Sequence, residues 1–113
     1  MDIKHFFQNY NFHDSLLKNI EYCNDTSSVN MLVDFAFWMQ EGYQEEEPET
    51  GLILIIFSDV SEYDCPDNIN FDQVSFLGSE IIEDAIKYEM VNDFTDEYFS
   101  ITIKAKSVDV LPQ

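Results

Sequence analysis

The chain contains no arginine, and its 5 lysines face 23 aspartates and glutamates, for a formal net charge of -18 over 113 residues. A field of that sign repels phosphate backbones and anionic lipid surfaces. Without guanidinium groups the chain also lacks the usual bidentate reader of phosphate and of guanine edges. Nucleic acid and membrane are therefore excluded as expected partners. Glycine is nearly as scarce: Gly42, Gly51 and Gly78 are the only three, and they cannot build a phosphate-cradling loop. Cysteine is limited to Cys23 and Cys65, far apart and without a CxxC pair. The start MDIKHFFQNY has neither a basic leader nor an apolar stretch of secretory length, so reduced thiols in a cytoplasm are expected. The longest obvious apolar run, LILIIF at 52 to 57, is far short of the roughly 18 residues that span a bilayer.

Core-forming residues, by contrast, are plentiful. Hydrophobic residues make up 45% and aromatics 15%, too much for a disordered acidic segment, and the length suits one domain over residues 1 to 113. Ile3, Phe6, Phe7 and Tyr10 recur at i, i+3, i+4 and i+7, which predicts a short N-terminal helix. The turn formers Asn24 to Ser28 separate two strands. The second shows strict alternation of Val29, Met31, Val33, Phe35, Phe37 and Met39, while its other face, with Asn30, Leu32, Asp34, Ala36 and Trp38, is only partly wet. Leu52 to Phe57 is apolar on both faces, as in a central strand covered on both sides.

Beyond it, residues 61 to 72 read as a loop, followed by a short strand from Val74 to Leu77 broken at Gly78. Ile81, Ile82, Ala85, Ile86 and Met90 have helical spacing, and a second helix is preferred there over a strand. Phe99, Ile101, Ile103 and Ala105 alternate with polar residues in a last strand that runs through Val108 and Val110 until Pro112. The sum is an α+β fold, a mainly antiparallel sheet of about five strands with one or two short helices packed on it.

Catalytic chemistry has one foothold, His13-Asp14-Ser15. On a strand His13 and Ser15 would share a side with backbones roughly 6 to 7 Å apart, and Asp14 would point away, so no triad forms. No GxSxG elbow supports a nucleophile. The expected role is structural, with Asp14 and Ser15 satisfying backbone donors at a turn and His13 packing at the sheet edge. No residue is assigned as catalytic and no cofactor is expected.

Two histidines and two cysteines without ligand spacing make a poor zinc site. The weak candidates for a hard cation are Asp59, Glu62, Asp64 and Asp67, with Asp93, Asp96 and Glu97 as a second acidic cluster; neither has the spacing of an EF-hand. The segment EGYQEEEPETG at 41 to 51 cannot bury itself and reads as an exposed loop. Its Glu45, Glu46, Glu47 and Glu49 are the expected partner-binding residues, suited to steering a basic protein; the commoner use of such charge is solubility.

The order HDSLLKNI, a turn, VNMLVDFAF, an acidic gap, LILIIFSDV and the closing strand YFSITIKAKSVDV resembles small bacterial proteins of about this length. Some of these are similar to immunity proteins of polymorphic toxin systems. The specific parts are the HDS-x-L-x-x-I start and the F-x-x-V end of the central strand. The resemblance implies a sheet-rich domain that neutralises a partner by binding, with no catalytic residue to carry over. The expectation is a non-enzymatic acidic binding protein for a basic toxin. The alternative is a small hydrolase or cation-dependent enzyme using the carboxylates at 59 to 67.

Overall fold

The computed structural model describes all residues from Met1 to Gln113. One helix, α1 (Ile3–Asn9), precedes eight strands: β1 (Leu16–Cys23), β2 (Ser28–Ala36), β3 (Thr50–Ser58), β4 (Glu62–Asp64), β5 (Val74–Ile82), β6 (Ala85–Asn92), β7 (Glu97–Lys104) and β8 (Ser107–Pro112). All pairings are antiparallel, in the order β4-β7-β6-β5-β1-β2-β3-β8. The expected α+β class with a mainly antiparallel sheet is present, but with eight strands rather than about five.

The helix forms as its spacing predicts. Asp2 caps it by accepting the His5 N–H at 2.7 Å, and Ile3 and Phe6 are buried on one face. The β1-β2 hairpin also follows the sequence, with Tyr22 opposite Val29 and Ile20 opposite Met31. Alternation in β2 stops earlier than the pattern suggests: Phe37 to Met39 form a single 3-10 turn.

Residues 79 to 90 are not a helix. They are the end of β5 and most of β6, joined by a tight turn at Glu83-Asp84. Glu83 takes a left-handed φ of 57°, a turn conformation usually given to glycine or asparagine. The doublets Ile81-Ile82 and Ala85-Ile86 flank this turn and imitate helical spacing, whereas Ile86, Tyr88 and Met90 alternate into the core. Gly78 does not break β5; a bulge between Phe76 and Gly78 shifts the register and the strand goes on to Ile82. The expected loop at 61 to 72 likewise contains the short strand β4, and the single closing strand is two, β7 and β8.

Those last divisions are corners in two long arms. β3 bends at 59 to 61 into β4, and β7 bends at 105 to 106 into β8, so the same two arms pair as β3 with β8 and as β4 with β7. Backbone bonds hold the bend: Val60 N–H to the Ser27 carbonyl at 2.8 Å, Ser61 N–H to Lys104 at 2.8 Å and Lys106 N–H to Ser58 at 3.1 Å. The ladder thereby closes on itself. One half consists of β1, β2, β3 and β8, the other of β5, β6, β7 and β4, and the core lies between them.

Phe12 sits at the centre of that core. Its ring lies 5.2 Å from Phe35 of one half, 5.6 Å from Tyr88 of the other and 5.7 Å from Phe6 of the helix. The helix packs on β6 and β8, and the Met1 backbone bonds Val108 of β8 in both directions. This covers part of an otherwise free strand edge.

Candidate functional site

The stretch His13-Asp14-Ser15 is a seam between the two halves. Ser15 is fully buried, and its Oγ accepts the Ala36 N–H of β2 at 2.9 Å while its carbonyl accepts the Phe76 N–H of β5 at 3.0 Å. Asp14 adopts a left-handed φ of 65°, and its N–H points to the Phe76 carbonyl at 3.3 Å. His13 Nδ1 donates to the Leu77 carbonyl at 2.9 Å, and its Nε2 lies 3.7 Å from the Asp14 carboxylate. Since β1 and β5 otherwise pair only at Leu16 and Ser75, these three residues supply most of the junction. Ser15 Oγ is committed to a backbone donor, not held by His13 as an activated nucleophile requires.

The carboxylates Asp59, Glu62, Asp64 and Asp67 are strung along the corner, β4 and the following loop. No group of three or more His, Cys, Asp or Glu side chains converges there, around Asp93, Asp96 and Glu97, or elsewhere. In the first of these regions Cys65 is a free thiol whose pKa is pushed up by burial and by Asp64 and Asp67, against a lowering hydrogen bond from Tyr63. A thiol held protonated in this way is a poor nucleophile.

The acidic loop is exposed, as its composition predicts: Glu45, Glu46, Glu47 and Glu49 all face solvent. It nonetheless has internal structure. The Trp38 N–H reaches the Glu49 carbonyl at 3.2 Å, the Tyr43 hydroxyl donates to the Glu47 carbonyl at 2.9 Å and the Glu47 N–H to Gln44 at 3.0 Å. Partial desolvation, then Glu49 and Glu47, raise the Tyr43 phenol above its ordinary pKa, a local sign of the negative potential. The loop is also anchored at its base, where Phe37 lies over Gly51 so closely that a Cβ there would meet the ring at 2.7 Å.

A second surface adjoins this loop, and the sequence reading of β3 pointed at it only indirectly. Strand β3 is apolar on both faces, and its outer face reaches solvent instead of closing into the core. In register across that face stand Leu32, Leu54 and Leu111, with Leu52 and Ile56 on either side along β3. Leu52 and Leu111 are each 44% exposed. Asp34 lies opposite Leu52 and Asp109 opposite Ile56, and β2, β3 and β8 contain no lysine.

The few cations lie elsewhere. Lys87 and Lys104 are on β6 and β7, while Lys4, Lys104 and Lys106 line a shallow recess beside the corner with Asp2 and Asp84. Lys18, at the bulge in β1, is the only one in the other half.

Compared with protein-family models, curated proteins and solved structures, the chain matches none. The resemblance to immunity proteins therefore rests on its sequence features. Those have structural work in this fold: Ser15, Leu17 and Phe57 are fully buried and Val60 holds the corner.

Proposed function

We propose that this chain acts by binding a basic protein and is not an enzyme, in the manner of an immunity protein that neutralises a cationic toxin. The observation that carries this reading is the segregation of charge. The net charge is -18, yet four of the five lysines gather on α1, β6, β7 and the corner, leaving the acidic loop and the neighbouring strands β2, β3 and β8 with carboxylates alone. A uniform solubility coat would not need that separation; a surface that steers and receives a positive partner does. An acidic face of this kind can occupy a site built for phosphates, which suits a nuclease toxin. The alternative, a hydrolase or cation-dependent enzyme using the carboxylates at 59 to 67, has no convergent side chains in its favour.

The test is kinetic. A partner recovered from the source cell should have a high pI, and its association should slow markedly as the Debye length falls from ~30 Å at 0.01 M salt to ~10 Å at 0.1 M. Replacing Glu45, Glu46 and Glu47 together with glutamine should lower the on-rate more than it raises the off-rate. An on-rate indifferent to salt would reduce the charge to a solubility device.

A further inference from the structure

We infer that the outer face of β2, β3 and β8 is the docking surface, and that its occupant is a protein presenting an apolar patch ringed by lysine or arginine. This rests on the proposed binding of a basic protein and names the place and the shape of the contact. An antiparallel sheet with one solvated face ordinarily alternates apolar and polar residues. Strand β3 does not: Ile53, Ile55 and Phe57 fill the core while Leu52, Leu54 and Ile56 point the other way. Leu32 and Leu111 extend this outer set across three strands, and at its two ends Leu52 and Leu111 are open to solvent.

The rim decides what the occupant is. Asp34 and Asp109 stand among the leucines, Glu21 lies one strand away opposite Asn30, and no lysine is present on the three strands. A second copy of this chain set face to face on a two-fold axis would bring these carboxylates against themselves with only Lys18 of β1 to answer them. A lipid surface bearing anionic headgroups is repelled by the same groups. A partner with an apolar centre and a cationic margin fits both parts, the usual division of an interface into a dry core and a polar rim.

The experiment uses the full chain, isotope-labelled, titrated by NMR at 0.1 M salt with two synthetic peptides of equal charge. One is an amphipathic helix of leucine and lysine, the other has serine in place of every leucine. The leucine peptide should shift the amides of β2, β3 and β8 and bind about tenfold more tightly. That advantage should vanish in the double variant Leu52→Thr, Leu111→Thr, whose sites are half exposed and whose melting temperature should stay within about 2 °C of the parent. Should that variant fail to fold, the single change Leu52→Thr provides the same comparison. Equal affinity for both peptides, or shifts confined to residues 41 to 49, would overturn the docking face while leaving the general binding of cations intact. Failure of both peptides to bind would remove the underlying reading as well. Sedimentation at 0.5 M salt should give a monomer, and a dimer lost in Leu52→Thr, Leu111→Thr would assign the face to self-association.

Discussion

The two halves of the closed ladder share one core but meet water in opposite ways. On the outer side of β5, β6 and β7, Glu80 stands opposite Lys87, which stands opposite Thr102, and Lys87 Nζ lies 3.5 Å from Glu89. That face answers its own charges. On β2, β3 and β8 the corresponding rows are Asn30, Ile56 and Asp109, then Leu32, Leu54 and Leu111, with no cation. Stability asks little of Leu52 and Leu111 in the second arrangement, since leucines this exposed contribute little to folding and unbalanced carboxylates repel. The difference between the halves teaches that an outer face can be read for function by what the fold does not need from it.

The contrast can be broken most forcefully at the seam that joins the halves. Ser15→Ala leaves the buried Ala36 N–H without its acceptor and should cost about 1–3 kcal/mol in urea unfolding. His13→Ala, whose ring is half exposed, should cost less and abolish no hydrolytic activity. A loss in Ser15→Ala below about 0.5 kcal/mol would mean that the Ser15 hydroxyl does not fasten the seam to the end of β2; the backbone bonds of the seam to β5 are unchanged in this variant.

Alkaline pH separates the inner faces of the halves. Tyr88, on β6, is fully buried with no hydrogen-bond partner for its hydroxyl, and burial raises its pKa well above the ordinary 10.0. The folded state then keeps a proton that the unfolded chain releases above about pH 10, so unfolding gains on folding there. Stability should fall by about 1.4 kcal/mol per pH unit above pH 10 from this group alone, followed by denaturant midpoints across pH 9 to 11.5. Tyr63 adds in the same direction, raised first by its own burial and then by Cys65 and Asp67. Tyr88→Phe should remove this group's share of the slope and be neutral or stabilising at pH 7, because an unsatisfied hydroxyl is lost from the core.

Smaller effects sharpen the comparison of the outer faces. Lys87→Gln removes one of the two cations from the self-balanced face and should cost about 0.2–1 kcal/mol, decreasing with salt. Leu52→Thr or Leu111→Thr on the other face should change stability by less than about 0.5 kcal/mol, in thermal melts at equal ionic strength. A larger loss there would return those leucines to the service of the fold.

Much of the architecture was legible because its side chains follow one period without interruption. The helix over Ile3 to Asn9 and the β1-β2 hairpin are of that kind. The β5-β6 hairpin was not legible, because its turn uses Glu83-Asp84 in place of glycine or asparagine and its flanking isoleucines imitate a helical face. The corner at Ala105-Lys106 was hidden for a related reason, since neither glycine nor proline marks it. In the candidate site the exposed glutamates could be read from composition alone. The docking face could not: the double apolarity of β3 signals burial on both sides, and only the topology reveals that one side is left open.

The closure of the ladder also bears on how the chain reaches this state. Strand β3 lies between β2 and β8, and the residues paired across β3 and β8 are separated by roughly half the chain; Ser58 with Ser107 and Ile53 with Pro112 mark the limits. Partners so distant in sequence meet late, because loop closure must precede any gain from pairing. Until then the segment LILIIF has one edge unpaired and both faces apolar, the signature of a strand that recruits copies of itself. Newly made chains carrying -18 charges repel one another through that interval, so the acidity that shapes the finished surface also shelters its most adhesive strand before there is a surface at all.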